Sequence, residues 1–234
     1  MSRWITPESL PKTPASFYNH ADCFNSETES GSLTMTESSM ITTVAVLGGT
    51  GKEGSGLAMR WALNGYKVII GSRDAGRASE KAAEFNITLG GDYLTGMGND
   101  AAAQAADIVV VSVPYDAHQA TLESVKAMLK GKIVVDVTVP LKPPQVRTVY
   151  VPEGKAAALE AHEYLGDTVR LVSAFQNVSA EKLKDPTIVV ECDVLVCSDD
   201  AEAKIEVIKL VEAAGMRGID AGPLANSVAA EALT

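Results

Sequence analysis

The stretch Val44–Gly56, VAVLGGTGKEGSG, constrains the fold more than any other part of the chain. Five glycines follow an apolar run, although glycine weakens both strands and helices. Gly49, Gly51 and Gly54 fit the pattern G-x-G-x-x-G between a predicted strand and a predicted helix. Such a loop lets the backbone approach a pyrophosphate, and the helix N-terminus offers it amide donors. We therefore predict a dinucleotide site here. The loop residues expected to bind the dinucleotide are Gly49, Thr50, Gly51, Lys52, Glu53 and Gly54.

Other glycine-rich motifs fit the loop less well. A P-loop requires Gly-Lys followed by Ser or Thr, whereas Gly51 and Lys52 are followed by Glu53. A kinase glycine loop requires downstream lysine and catalytic-loop motifs that the sequence lacks. The remaining alternative is a glycine-rich turn without a chemical role.

The end of the second predicted strand indicates which dinucleotide binds. In NAD-binding chains an acidic residue about 20 positions beyond the glycines holds the ribose 2′-hydroxyl. This sequence has Ser72 and Arg73 at that place, with Arg77 one helical turn later. A hydroxyl and two guanidiniums favour the 2′-phosphate that a carboxylate would repel. We therefore expect NADP. The alternative is an exposed helix start, where Asp74 pairs with an arginine.

Apolar strands alternate with helices from the glycine loop to the last residues. Strands this apolar are typical of a parallel sheet that is covered on both faces. We predict an α/β fold, a doubly wound and mostly parallel Rossmann-like sheet with a smaller C-terminal continuation. Residues 1–39, rich in Ser, Thr, Pro and Glu, are expected to be a disordered extension. Residues 40–178 are expected to form the NADP-binding Rossmann domain, and residues 179–234 a smaller α/β part.

Charge and cysteine content exclude several classes of protein. A net charge of −10 argues against a nucleic-acid binder, which needs a basic face. The cysteines, Cys23, Cys192 and Cys197, match neither a disulfide framework nor a zinc site, so we predict no metal. No apolar run reaches the roughly 20 residues of a membrane helix. We expect a cytoplasmic protein with small-molecule partners, no nucleic acid and no membrane. A homodimer is left open.

The carboxyl ends of the strands, where open α/β sheets bind ligands, carry three candidate segments. These are Val113–Tyr115, Thr138–Pro140 and Phe175–Val178. None presents a nucleophile–base pair, a metal cluster or an evident proton donor, so we name no catalytic residue. His118 could approach the cleft from the start of its helix, but we expect it to be solvated. Such a site suits a hydride acceptor that needs mainly stacking and alignment.

Several segments closely resemble the NADPH-dependent reductases of coenzyme F420, a deazaflavin. The likeness begins with LGGTGKEGSGLAMRWALNGYKVIIGSRDAGRASEKA and continues, in the family's order, through VVVSVPYDAH and KIVVDVTVPL. It extends through RLVSAFQNVSAEKL, ECDVLVCSDDAEAK and DAGPLANS, and covers essentially Ile41–Thr234. The family's chains continue past this segment into a further helix, which we expect this chain to lack.

The resemblance implies reversible hydride transfer between C4 of the nicotinamide and C5 of the deazaflavin, with NADP and coenzyme F420 as cofactors. The protein would position the two rings without supplying a base. The residues implied at the 2′-phosphate end of NADP are Thr50, Ser72, Arg73 and Arg77. The residues implied near the rings are Val113, Pro114, Tyr115, Gln176, Asn177 and Val178. Family members often carry histidine where this chain has Gln176.

Two alternatives stay open at this point. The chain could be an NADP-dependent reductase of another small acceptor, such as an imine or a ferric chelate. It could also be an NADP-binding module without catalytic activity.

Overall fold

The structure is a computed structural model that describes residues 41–144 and 148–234. The extension predicted to be disordered, residues 1–39, lies outside the described residues. Among the described helices, none combines the length and the apolarity that a bilayer crossing requires.

Six strands form the main sheet. They are β1 (Thr43–Leu47), β2 (Lys67–Ser72), β3 (Leu94–Gly98), β4 (Ile108–Val111), β5 (Ile133–Asp136) and β6 (Arg170–Ser173). Their order across the sheet is β3-β2-β1-β4-β5-β6, and every neighbouring pair is parallel. The order reverses between β1 and β4, which is the place where doubly wound sheets bind their ligands. The predicted doubly wound, parallel sheet is confirmed.

Eight helices are described. They are α1 (Lys52–Leu63), α2 (Ala75–Leu89), α3 (Asn99–Ala105), α4 (Tyr115–Val125), α5 (Ala157–Leu165), α6 (Ala180–Leu183), α7 (Ala201–Ala213) and α8 (Ser227–Ala232). Because side chains alternate along a strand, Val44 and Val46 of β1 belong to one apolar core and Ala45 and Leu47 to the other. Helices α1, α2 and α7 cover the first core, and α3, α4 and α5 cover the second.

The strand register aligns the carboxyl ends that build the site. Leu47 of β1 pairs with Gly71 of β2 on one side and with Val111 of β4 on the other. The backbone continues this alignment beyond the strands, because the amide of Gly48 donates to the carbonyl of Gly71 at 3.1 Å. The amide of Ser112 likewise donates to the carbonyl of Leu47 at 2.9 Å. The glycine loop, the end of β2 and the end of β4 therefore lie side by side.

The C-terminal residues add a small parallel sheet of β7 (Asp193–Val196) and β8 (Arg217–Asp220). A bridge between Ser173 and Cys197 joins this part to β6. The run 187–199 has the apolar pattern of one long strand, but only Asp193–Val196 forms a strand, β7, and Cys197 adds the single bridge to Ser173. Upstream, the Arg60 guanidinium binds the carbonyls of Asp185 and Ile188 at 2.7 and 2.9 Å, which holds that segment as a loop. The domain boundary at residue 178 stays a prediction.

Candidate active site

The turn that opens the glycine loop is made at Gly48, one residue before the motif. Gly48 has φ +77°, and a Cβ there would lie 2.2 Å from the carbonyl oxygen of Ser112. The motif pattern suggests that Gly49, its first glycine, makes this turn. Gly49 does not: the amide of Gly49 donates to the carbonyls of Val46 and Gly71 at 3.0 and 3.2 Å. Only glycine tolerates both the left-handed backbone and the close approach of β4.

Helix α1 begins immediately after Gly51, which has no side chain to cap it. Its first internal hydrogen bond runs from the Ser55 amide to the Gly51 carbonyl, at 3.0 Å. Amides in the first turn of a helix have no partner within the helix, so they can bind an anion. A Cβ on Gly54 would lie 3.1 Å from the Gly48 carbonyl, so the third glycine of the motif lets α1 pack on the loop. The exposed Lys52 pairs with Glu181 at 3.1 Å.

At the end of β2, Ser72 is buried and both arginines are exposed. The Ser72 hydroxyl accepts the amide of Asp74 at 3.2 Å, and Oδ1 of Asp74 caps α2 by accepting the Arg77 amide at 3.1 Å. Asp74 thus engages a backbone amide rather than a guanidinium, contrary to the alternative interpretation. Within residues 41–144 and 148–234, the ion pairs include neither Arg73 nor Arg77.

Arg73 also borders a hollow of about 520 Å³ along the first turns of α4. The hollow is lined by Arg73, Pro114, Asp116, Ala117, Ala120, Thr121 and Ser124. It lies between the end of β2 and the helix that follows β4.

The main cleft, of about 480 Å³, opens between the glycine loop and the ends of β4, β5 and β6. Among the residues that the sequence singled out, it is lined by Gly51, Lys52, Glu53, Val113, Pro114, Tyr115, Thr138, Val139, Gln176 and Val178. The structure adds Ser112, Asp116, Val137, Leu141, Pro143 and Thr234. Most of the lining is apolar, which suits a flat ring.

Asn177 is absent from this lining. It is exposed, and its Nδ2 donates to the carbonyl of Asp193 at 2.8 Å. It borders a separate, more open hollow of about 600 Å³ that also includes Cys192 and Arg217. We assign the site to the main cleft because that cleft lies at the carboxyl ends of the parallel strands.

A buried hydrogen bond between His118 and Asp136 lies behind the cleft, and the sequence did not reveal it. His118, expected to be solvated, is 2% exposed, and its Nε2 lies 2.7 Å from Oδ2 of Asp136. Burial lowers the pKa of His118, but the charge and hydrogen bond of Asp136, with the charges of Glu231 and Glu160, together outweigh burial and raise this pKa above its usual value. Asp136 is the last residue of β5. An acidic residue at the end of an apolar strand was the sequence feature that could have indicated this contact.

Tyr115 is held at the cleft by two neighbours. Its hydroxyl donates to Oε2 of Glu160 at 2.8 Å, and its ring meets Tyr150 edge to face with 6.2 Å between centroids. Burial and the Glu160 hydrogen bond raise the pKa of the Tyr115 phenol, so it stays neutral. Tyr115 therefore offers a fixed aromatic surface rather than a proton.

Gln176 follows a residue with an unusual backbone. Phe175 has φ +74°, a left-handed conformation that costs a non-glycine residue about 1–2 kcal/mol. Its fully buried ring packs edge to face on Trp61, with 5.8 Å between centroids. Such strain collects at functional sites, where the surrounding packing holds it. Here it directs the next side chain, Gln176, into the cleft wall.

Two further carboxyl groups lie close to the cleft. Burial raises the pKa of Glu53 to about 8. Burial also raises the pKa of Glu231 to about 7, although Glu231 accepts the amides of Ala157 and Ala158 at 2.7 and 3.1 Å. Glu231 thereby caps α5 from α8. Sequence spacing offered no signal for this contact.

Comparison with known proteins places these features in a family. Residues 43–140 match the sequence model of the family described as NADP oxidoreductase, coenzyme F420-dependent. The F420-dependent NADP reductase of Methanothermobacter thermautotrophicus is 39% identical over 202 residues, which cover 83% of this chain and 87% of that protein. The reductase of the same name from Methanocaldococcus jannaschii is 42% identical over 202 residues, 82% of this chain and 88% of that one.

More distant similarities extend to other reductases. The metalloreductase STEAP3 of Rattus norvegicus is 27% identical over 186 residues, which cover 79% of this chain but 35% of that protein. Among solved structures, an Arthrobacter protein described as an F420-dependent NADP-reductase superposes with a TM-score of 0.69 at 25% identity. That match covers 81% of this chain and 89% of the other. An imine reductase from Myxococcus stipitatus, at 19% identity and a TM-score of 0.57, shares the fold over 82% of this chain and 59% of that one.

The extent and identity of the archaeal matches decide the assignment. The glycine loop and the arginines at the end of β2 lie within residues 43–140, as does the cleft lining from Gly51 to Val139. The chain is a member of the coenzyme F420-dependent NADP oxidoreductase family.

Proposed function

We propose that this chain is an oxidoreductase that transfers a hydride between NADP(H) and coenzyme F420. The observation that carries the proposal is one continuous edge of the sheet. It joins exposed arginines at the end of β2, a glycine loop with free helix amides and an apolar cleft at the ends of β4, β5 and β6. Membership of the family, together with 39–42% identity to F420-dependent NADP reductases, supports the choice of both cofactors.

The described residues fit NADP at both of its ends. The hydroxyl of Ser72 and the guanidiniums of Arg73 and Arg77 would hold the 2′-phosphate, with Thr50 nearby on the loop. The first amides of α1 would hold the pyrophosphate. The mostly apolar lining of the main cleft would hold the nicotinamide ring.

The residues of the cleft would act by alignment. The chemistry supplied by the bound cofactors is transfer of a hydride between C4 of the nicotinamide and C5 of the deazaflavin. The apolar side chains of Val113, Pro114 and Val178 would exclude water and hold the two rings in contact. The ring of Tyr115 would form one fixed wall of the cleft. A hydride passes with its electron pair, so its transfer requires no protein base, and the proton that completes the reduced deazaflavin would come from water; we assign no catalytic residue.

The direct test mixes the protein with NADPH and oxidised coenzyme F420 under anaerobic conditions. The visible absorption of the deazaflavin should bleach in step with NADPH oxidation, and the reverse mixture should restore it. A protein that binds NADPH without bleaching the deazaflavin would contradict the proposal.

A ferric chelate is the second acceptor to test, because the chain is also similar to metalloreductases, although it spans only about a third of their length. A panel of ferric chelates and cyclic imines would separate these activities. Tight NADPH binding without turnover of any acceptor would indicate a silent module. We also keep as proposals a cytoplasmic location, the absence of nucleic-acid partners and a homodimeric assembly.

A further inference from the structure

Glu160 joins three parts of the chain beside the cleft. Its Oε2 accepts the hydroxyl of Tyr115 at 2.8 Å, and its Oε1 accepts the backbone amide of Gly154 at 3.2 Å. Tyr115 is the first residue of α4, Glu160 lies in the first turn of α5, and Gly154 belongs to the segment 148–156 that precedes α5. One carboxylate therefore holds the start of α4, the start of α5 and the chain that leads into α5.

The side chain of Glu160 has little freedom to move. A Cβ on Gly154 would lie 2.3 Å from Cγ of Glu160, so the glycine lets the backbone come against the stem of the glutamate. Because each of the two carboxylate oxygens also accepts a hydrogen bond, the rotation of the carboxylate is set as well. Glu160 is therefore a fixed acceptor for the phenol of Tyr115.

The start of α5 is itself held by α8. Ala156 precedes α5 and has no side-chain oxygen that could cap it. Instead, the carboxyl group of Glu231 in α8 accepts the amides of Ala157 and Ala158 at 2.7 and 3.1 Å. Because these amides lie in the same first turn as Glu160, the contact fixes the backbone from which Glu160 reaches Tyr115.

The ring of Tyr115 has a second neighbour in Tyr150. The two rings meet edge to face with 6.2 Å between centroids, and Nζ of Lys142 lies 4.7 Å from the centroid of the Tyr150 ring. Tyr150 belongs to the same segment, 148–156, as Gly154. A tyrosine side chain has only two dihedral angles, so the contacts at the hydroxyl and at the ring together set the orientation of Tyr115.

Tyr115 borders the cleft on its solvent side. Val137, which also lines the cleft, is 1% exposed, whereas Tyr115 is half-buried and Leu141 is 41% exposed. The dinucleotide would reach the cleft from the glycine loop, where Gly51 forms part of the lining. A hydride acceptor that enters from solvent would therefore meet the ring of Tyr115.

We propose that Glu160 is a positioning residue that holds the Tyr115 ring as the wall against which the hydride acceptor docks. This inference rests on the proposed function, because it takes the deazaflavin as that acceptor. A ring that is free to rotate must be ordered when the acceptor binds, which costs affinity, whereas a ring that Glu160 already holds does not. The dinucleotide, bound at the glycine loop and at the end of β2, should be indifferent to this change.

The test replaces Glu160 with leucine and with glutamine, which are close to it in size. Glu160→Leu loses both hydrogen bonds and frees the Tyr115 ring. We expect the KM for the deazaflavin to rise about three- to tenfold, with kcat changed less and the dissociation constant of NADPH unchanged. Glu160→Gln can accept the Gly154 amide and donate to the Tyr115 oxygen, so its KM should stay close to that of the unchanged protein.

A double variant separates positioning from a merely structural role. Tyr115→Phe removes only the hydroxyl, so it should raise the same KM by a similar factor while the contact between Glu160 and Gly154 remains. If Glu160 acts through Tyr115, Glu160→Leu should add little to the effect of Tyr115→Phe in the double variant. Effects that add in full would show that Glu160 acts on the fold of α5, and would overturn the inference.

Glu163→Leu is the matched control. It makes the same change at an exposed position of α5 and should leave the deazaflavin KM and the NADPH dissociation constant unchanged. Weaker NADPH binding by Glu160→Leu with an unchanged deazaflavin KM would contradict the inference. If Glu160→Leu does not fold, Tyr115→Phe decides alone, and an unchanged KM in that variant would overturn the inference. Failure of the proposed function looks different, because the unchanged protein would then bleach no deazaflavin.

Discussion

Nε2 of His118 lies 2.7 Å from Oδ2 of Asp136, and both side chains are buried. The pair joins the first turns of α4 to the end of β5, directly behind the cleft. The charge of Glu231 also raises the pKa of His118, and the charge of His118 in turn lowers the pKa of Glu231. The wall of the cleft is therefore backed by groups whose charges depend on each other and on pH.

Stability should fall as pH rises from about 5 to 8. The folded state raises the pKa of Glu231 from 4.5 to about 7, and it also raises the pKa of His118 above 6.5. Both groups bind protons more tightly in the folded chain, so their contribution is full below the unfolded pKa and is lost through the folded pKa. For Glu231 the change is roughly 3 kcal/mol.

Urea unfolding at several pH values measures this slope. Glu231→Gln cannot ionise and should flatten the pH dependence between about 5 and 7. Glu163→Gln, at an exposed position of α5, serves as the control and should keep the original slope. An unchanged slope in Glu231→Gln would show that the buried carboxyl does not control the transition.

NADPH affinity should decrease as pH rises from 7 to 9. Burial raises the pKa of Glu53 to about 8, and Glu53 borders the cleft beside the first turn of α1. A neutral carboxyl does not repel a pyrophosphate, whereas a carboxylate does. Glu53→Gln should bind NADPH with nearly constant affinity over this range in a fluorescence titration. Glu80→Gln on the exposed face of α2 should behave like the unchanged protein, and a persisting pH dependence in Glu53→Gln would contradict the assignment.

Arg73→Ala should weaken the use of NADPH by about 10- to 100-fold and spare NADH, because a charge-assisted hydrogen bond to the 2′-phosphate is lost. Steady-state kinetics with both cofactors gives the ratio. Lys67→Ala removes one positive charge at the opposite end of the same strand and should leave the ratio unchanged. Equal losses with NADPH and NADH would place the phosphate elsewhere.

Gly48→Ala should destabilise the protein far more than Gly65→Ala. Both glycines have positive φ, +77° and +88°, so each alanine has a backbone cost of about 1–2 kcal/mol. At Gly48 the new Cβ would also lie 2.2 Å from the Ser112 carbonyl, whereas at Gly65 nothing lies within 4 Å. Urea unfolding measures both free energies. Similar losses would indicate that the β4 backbone yields at little cost.

The sequence alone determined the features that depend on neighbouring residues. The apolar strands and the helices between them indicate a parallel sheet, because a strand buried on both faces must be apolar along its whole length. The glycine loop and the Ser72–Arg73 pair could be located from the sequence in the same way, since each lies within a few residues of a strand end. Even here, the left-handed residue is Gly48, which lies outside the motif and whose Cβ would clash with the Ser112 carbonyl, a contact that the sequence does not show.

Only the tertiary structure decided which polar groups are buried together. His118 and Asp136 are 18 residues apart, and Tyr115 and Glu160 are 45 apart. Glu231 and the Ala157 amide that it caps are 74 apart. No periodicity links such positions, because their contact depends on how strands and helices stack. Burial, which shifts their pKa values, arises from that stacking. The chemical environment of the cleft is therefore a product of packing, whereas the edge of the sheet on which the cleft lies can be read from the sequence.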